Sequence, residues 1–440
     1  MILQNGSAIH LVLFGTLGES RYFLRKFKDK FDLIGFNANM IAFAPEGMAA
    51  FISQLKNKTY FIDPQTYAFQ QPVRTLMKKK DGSLTPKKSL ERLARLFGSK
   101  ISEIFGNSSL VLSELTPVEY ETISKNVLTF QRDFIQSNVS EEIKEFLGDS
   151  ILQPAFIIAP YMYLEVDDFG NELKSNIIFI EQAKKNLKDE EKLFAEIALS
   201  QDVINQDNFI DEIAKEYNSA NVDGYIIWID DFSEIKASEF LLKKYKLFLQ
   251  KLSLNSTPIL MLHGSYLSVI FSSDQIRLLA GVGHGIEYGE SRALLPVGGG
   301  VPTAKFYFPN YHYRIDYDPT TQDILLKTKW ISSMEAYFDN VCSCDVCRDL
   351  IKSDSVDQHF QKYGETKISE KNGKAYPTGQ ALHLSREHYL YNKIKEYSTI
   401  NSLNLLSIIT SLEKADNQTK LFQREYPISH LARWKKVVAD

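Results

Sequence analysis

The chain has 440 residues, 44% hydrophobic and 12% aromatic, enough for one large domain with a subdomain or two to three small domains. A net charge of −4 gives no global sign of polyanion binding, and no apolar run of about 18 residues exists to span a membrane. The first residues, MILQNGSAIHLVLFG, lack a basic start, a full apolar core and a small-residue cleavage site, so a cytoplasmic location is expected.

Short apolar runs recur along the chain and predict strands. In order they are FDLIGFN (31–37), TYFIDP (59–64), PAFIIAPYMYL (154–164), LFAEIALS (193–200), DGYIIWID (223–230), PILMLHG (258–264), GVGHGIEYG (281–289) and AKFYFP (304–309). Helical patterns such as SLERLARLFG, DNFIDEIAKEY and ASEFLLKKYKLFLQKL lie between them. Strands alternating with helices predict an α/β fold, a parallel (β/α)8 or TIM barrel over 1–310; a doubly wound sheet is the competitor, but no G-x-G-x-x-G follows an early strand. Residues 71–150 are too long for a loop and predict an insertion with its own structure. There KKKDGSLTP reads as a hairpin turning at Asp81-Gly82, and Thr85-Pro86 as the start of a helix over 86–97. Nine Lys and Arg residues between Arg74 and Lys100 face only Asp81 and Glu91, a solvated face or a phosphate-tracking patch.

Barrel enzymes place their chemistry just past the strand C-termini, which here end near Asn37, Asp63, Tyr161, Ser200, Asp230, His263, Glu287 and Glu290. The glycine run LPVGGGVPT (295–303) follows and reads as a turn or a phosphate cradle. All three cysteines of the chain then fall in CSCDVC: Cys342, Cys344 and Cys347. An odd number of thiols this close makes a poor disulfide framework, and C-x-C-x-x-C supplies three soft ligands to a tetrahedral Zn²⁺ that needs a fourth. Residues 311–440 are therefore expected to form a zinc-binding, helical subdomain, with helices near 387–397 and 401–414.

Several of these pieces together resemble the tRNA-guanine transglycosylase superfamily, whose members are TIM barrels with a zinc subdomain. The cysteine spacing matches the family's signature, and the resemblance puts the fourth ligand at His388 in REHYLYNKIKEY, with His383 and His359 as rivals. FIDPQTYAFQ looks like the family's D-S-G-G-F-Q strand end and puts Asp63 at the acid–base position. GIEYGES is similar to its G-[IV]-D-x-F-D segment and puts the nucleophile at Glu290, or alternatively Glu287. The paired glycines after Asp63 are replaced by Pro64-Gln65, and the base-reading segments by Leu199-Ser200 and Ile229-Asp230. Those departures favour a divergent branch, most like the DpdA-type enzymes that place 7-deazaguanines into DNA.

The resemblance implies base exchange on DNA or tRNA. One carboxylate attacks C1′ and holds the sugar as an ester, and the other moves protons to the leaving base and from the entering one. The zinc would be structural, since four protein ligands leave no position for water. Asp230 would read a purine edge and His263 a carbonyl, beside Ser200, while Tyr67, Tyr161 or Trp228 would stack on the base. A catalytically silent nucleic-acid-binding subunit, an ordinary tRNA-guanine transglycosylase and an unrelated barrel hydrolase are the competing readings; a homodimer or a partner subunit is left open.

Overall fold

The computed structural model of the chain describes residues 8–15, 19–55, 58–70, 88–106, 115–147, 153–285, 289–294, 303–353, 355–422 and 428–440. The chain divides into two compact units, residues 1–232, 244–264 and 278–296 in the first and residues 233–243, 265–277 and 297–440 in the second.

The first unit is built on a parallel sheet of β1 (Ile9–Leu13), β2 (Leu33–Asn37), β3 (Thr59–Asp63), β4 (Ile157–Ile158), β5 (Tyr163–Leu164), β6 (Leu193–Leu199), β7 (Gly224–Ile229), β8 (Ile259–Met261) and β9 (Gly281–Gly285). Its order is β3-β2-β1-β9-β8-β7-β6-β4, with β5 also pairing to β6. β4 and β5 are thus two short pieces of one stave, and the sheet has the eight staves of a (β/α)8 barrel. The last stave pairs with the first, Ile9 against Gly281 through Leu13 against Gly285. On the opposite side the ring comes nearly to closure where the Ala155 N–H donates to the Tyr60 carbonyl at 2.7 Å.

The strands are apolar on both faces because one face fills the barrel and the other packs under helices. Leu11, Leu33, Phe61, Phe156, Ile158, Phe194, Ala198, Ile226, Trp228 and Leu260 form the interior cluster. Side chains alternate along a strand, so Phe194 and Ala198 inside place Glu196 on the same inner face. The glycines of β9 answer to close approach: a Cβ on Gly283 would lie 2.4 Å from the Leu262 carbonyl oxygen.

Two strand expectations change. IHLVL, not FDLIGFN, is the first stave, and AKFYFP lies outside the barrel. Lys305–Phe308 (β10) instead pairs antiparallel with Tyr313–Asp316 (β11) in the second unit. A tight turn through Pro309–Tyr311, with His312 at φ 50°, brings those two strands back to back in sequence, and local pairing takes precedence over a distant stave. The helix expected over 86–97 is found at Lys88–Phe97, followed in the insertion by Pro117–Asn138, which starts with a capping box of Thr116 and Glu119. The expected KKKDGSLTP hairpin and the glycine run 295–302 lie outside the described residues.

In the second unit the expected C-terminal helices extend over Gly379–Ile400 and Leu405–Thr419, capped by Thr378 and Asn404. A buried ion pair braces the longer one: Lys393 is fully buried and its Nζ lies 2.7 Å from the Glu396 carboxylate. No helix among the described residues is long and apolar enough to cross a membrane.

A candidate active site at the barrel rim and a candidate metal centre

A cavity of about 320 Å³ opens where the barrel strands end. Leu13, Asn37, Asp63, His263 and Gly285 line it from five strand ends, together with Ser291 and Arg292 from the segment after β9.

Asp63 closes β3 and is 5% exposed. Its Oδ1 accepts from the Tyr161 hydroxyl at 2.7 Å and from the Gln65 N–H at 2.9 Å. Gln65 adopts the left-handed conformation, φ 53° and ψ 41°, in the turn where the resemblance expects glycines. The turn therefore keeps a glycine-like backbone without glycine, and its N–H fixes the carboxylate. Burial pushes the Asp63 carboxyl above the usual range, against the Tyr161 bond, the Arg292 charge and the Gln65 N–H. Such a group carries a proton more readily than a free aspartate, which suits an acid–base role.

Arg292 sits opposite. Its guanidinium donates to the Tyr67 hydroxyl at 2.8 Å and lies 4.8 Å from the Trp228 ring centre, while the Trp228 N–H donates to the Arg292 carbonyl at 3.2 Å. The Tyr67 ring packs tilted against Tyr161 and Trp228, with ring centres 5.7 and 5.2 Å apart. Burial pushes the Tyr67 hydroxyl up to about 12 and the Tyr161 hydroxyl well above its ordinary value, so both stay neutral at physiological pH. Thr66 clamps the Tyr161 backbone by accepting from its N–H and donating to its carbonyl.

His263 follows β8 and is 9% exposed. Its Nδ1 is buried without a hydrogen-bond partner among the described residues, and burial, Arg292 and His284 lower its pKa to about 3. The imidazole is neutral, with one ring nitrogen left for a ligand.

Asp230 directly follows β7 but is engaged by the protein itself. Its Oδ1 accepts from the Leu294 N–H at 2.5 Å and its Oδ2 from the Tyr163 hydroxyl at 3.1 Å. Ser200 caps the helix Gln201–Ile204 through the Val203 N–H and is not among the residues lining the cavity. Glu290 directly precedes the lining pair Ser291 and Arg292. Glu287 lies outside the described residues.

Two residues of this region carried no sequence signal strong enough to single them out as site residues. Arg292 sits in an irregular segment, and only the fold directs it toward Asp63. Glu196 is 1% exposed, and neither carboxyl oxygen has a hydrogen-bond partner among the described residues. Burial and the nearby Asp63 push its carboxyl well above the usual range, against Tyr161 and Arg292. Its one signal was an acid in the middle of the apolar strand LFAEIAL.

The second unit holds the cysteines. Cys342, Cys344, Cys347 and His388 bring one ligand atom each to within 4.8 Å of one another, a set able to bind a metal ion. The Cys344 N–H points to the Cys342 sulfur at 3.4 Å, and Cys344 is the N-cap of the helix Asp345–Leu350, so two thiols and a helix start share one knuckle. His388 Nδ1 lies 3.3 Å from the Cys344 sulfur and 3.4 Å from the Cys347 sulfur. Its Nε2 contacts the Tyr307 carbonyl at 2.7 Å, which fixes the ring with Nδ1 toward the thiols. The hydroxyls of Tyr337 and Tyr363 sit 3.1 and 3.3 Å from the Cys347 sulfur. Hydrogen bonds from Cys344 and Cys347 pull the Cys342 thiol below its ordinary range, toward the thiolate that ligates metal. His383 instead faces Glu387 at 3.5 Å, and His359 is not part of the group.

No protein-family model matches the chain, and no curated protein matches it.

Proposed function

We propose that the protein is a base-exchange transglycosylase. In this reading it replaces a guanine in DNA or tRNA with a preformed 7-deazaguanine through a covalent glycosyl-enzyme intermediate. The observation that carries the reading is the rim cavity, where Asp63 meets Ser291 and Arg292, the residues immediately after Glu290. Glu290 is not among the lining residues, and the reading brings its carboxylate to the same rim as Asp63, since a two-step displacement at a ribose carbon requires a second carboxylate.

Glu290 attacks C1′ from the segment after β9, and Glu287 is the alternative nucleophile. Asp63, its carboxyl raised by burial, gives a proton to the leaving base and takes one from the entering base. Neutral His263 offers its unpartnered Nδ1 to a polar edge of the base. Tyr67 and Tyr161 lie behind the lining and brace Arg292 and Asp63, and Arg292 supplies positive charge against the intermediate or a phosphate. In the second unit, three thiolates and one imidazole suit Zn²⁺, which holds that unit together without an open position for chemistry.

The test is transfer of a labelled 7-deazaguanine into DNA and into tRNA, with Asp63→Asn and Glu290→Gln beside the wild type. Both variants should lose incorporation by at least about 100-fold, and an enzyme–strand adduct should build up in Asp63→Asn. Full incorporation by both variants removes the mechanism.

One observation favours a second reading. Both oxygens of Asp230 are already bonded to Leu294 and Tyr163, so less of its acceptor capacity is left to read a base. A catalytically silent nucleic-acid-binding subunit would bind strands in a salt-sensitive manner and form no adduct with any base supplied. A trapped adduct excludes it.

A further inference from the structure

Gln65 is buried in the left-handed backbone region, where a side chain with a Cβ is strained and glycine is not. In return the position holds a side chain bonded at both ends. Its Oε1 accepts from the Asn39 N–H at 3.2 Å, one of the donors that the first turn of the helix Ala38–Phe43 cannot pair within itself. Its Nε2 donates to the Tyr67 hydroxyl at 3.4 Å, the same oxygen that accepts from the Arg292 guanidinium at 2.8 Å. One residue thus bonds the rim acid through its backbone N–H and reaches the rim cation through a single oxygen. The helix that anchors it is capped by Asn37, a cavity-lining residue, and is tied outward by the Ser89 hydroxyl, which donates to Asn39 Oδ1 at 2.6 Å. Next in the turn, Thr66 clamps the backbone of Tyr161, whose hydroxyl is the other donor to Asp63. Among the described residues both donors to Asp63 reach Oδ1, which leaves Oδ2 for a ligand in the cavity.

We propose that Gln65 is a positioning residue that locks Asp63 and Arg292 into one frame at the rim cavity. This rests on the reading of Asp63 as the acid–base group. Base exchange uses the same carboxyl twice, first to give a proton and then to take one. Because both fixed donors sit on Oδ1, the proton leaves and returns on Oδ2 without breaking either bond, and the carboxyl keeps its place in both halves of the reaction. The titratable and charged groups that act on Asp63 are Tyr67, Tyr161 between β4 and β5, Glu196 on β6, and Arg292. Of these, Arg292 carries the positive charge that opposes burial. Gln65, bonded to the Tyr67 hydroxyl, holds that charge at one distance from the acid.

The experiment pairs a spectroscopic with a kinetic readout on the full chain. Gln65→Gly keeps the left-handed backbone and the N–H to Asp63 and removes only the side chain. Carbon-13 NMR titration with labelled aspartate, the Asp63 signal identified by its loss in Asp63→Asn, should show the Asp63 midpoint about one pH unit higher in Gln65→Gly, as the guanidinium drifts from the acid. Tyr67→Phe, which keeps the ring and deletes the shared oxygen, should give the same shift. The double variant should shift no further than either single one, because one oxygen carries the tie. In exchange of labelled guanine into DNA and tRNA, each single variant should lower kcat about tenfold with KM within about twofold. An unmoved midpoint in both single variants, shifts that add in the double variant, or a loss carried by KM alone overturns the proposal. If the wild type exchanges no guanine, the base-exchange reading falls, while the titration by itself still upholds or overturns the tie between Asp63 and Arg292.

Discussion

Replacing Glu396 by Gln should weaken the second unit and loosen its candidate metal centre together. Glu396 is 7% exposed and pairs with Lys393, which has no exposed surface. Burial opposes its charge, but Lys393 and His312 overcome burial and hold the carboxyl at about 2. A depression of that size from 4.5 is worth about 3 kcal/mol by linkage. Deleting one partner of a buried pair costs about 3–5 kcal/mol, because the other charge is left in the interior, so the two routes agree. The sign follows from the lowered pKa: the stabilisation is present above about pH 4.5 and is lost as pH falls toward 2. Tyr307 extends the effect to the metal site, since its hydroxyl donates to Glu396 while its carbonyl receives His388 Nε2. Denaturant unfolding at pH 7, followed by tryptophan fluorescence, should show a loss of about 3 kcal/mol in Glu396→Gln, and a metal-indicator assay should show about tenfold faster release. Adding Lys393→Met should recover most of the stability, because a neutral pair no longer strands a charge. A Glu396→Gln protein within about 1 kcal/mol of wild type, or no rescue by Lys393→Met, would refute the reasoning.

Metal analysis should find one zinc per chain, lost in Cys344→Ser and His388→Ala, and chelation should unfold residues 297–440 as read by hydrogen exchange, with the barrel strands still protected. Glu172, pushed up to about 8 chiefly by burial, favours the fold most below about pH 4.5 and loses that advantage as pH rises through 8. Wild-type stability should therefore fall by up to about 1.4 kcal/mol per pH unit in that window relative to Glu172→Gln, and parallel curves would contradict the assignment. Gly283→Ala should cost about 1–3 kcal/mol, since its Cβ would meet the Leu262 carbonyl oxygen at 2.4 Å; unchanged thermal unfolding would show that β8 and β9 can part.

The sequence alone determined what is local. Three cysteines within six positions fold into one knuckle because their ligand atoms are set by a short turn and the first turn of a helix, geometry that C-x-C-x-x-C encodes by itself. Asp63 was legible because it ends an apolar strand, and strand ends are where a barrel opens. His388 was placed by family resemblance, and the fold supplied the partner that aims it, the carbonyl of Tyr307, 81 residues away. What surrounds Asp63 was decided by tertiary structure. Whether Glu196 faces the barrel or the helices depends on strand register, since a one-residue slip would turn it outward. Whether Arg292 meets Asp63, and whether Asp230 is spent on Leu294 and Tyr163, depends on segments far apart in sequence arriving at one rim. The same limit explains the staves: IHLVL and AKFYFP are both apolar runs, and only their pairing, Leu11 with Leu33 and Phe306 with Ile315, separates a barrel strand from a hairpin. Hydrophobic pattern records that a segment is buried; hydrogen-bond pairing across the fold decides against what.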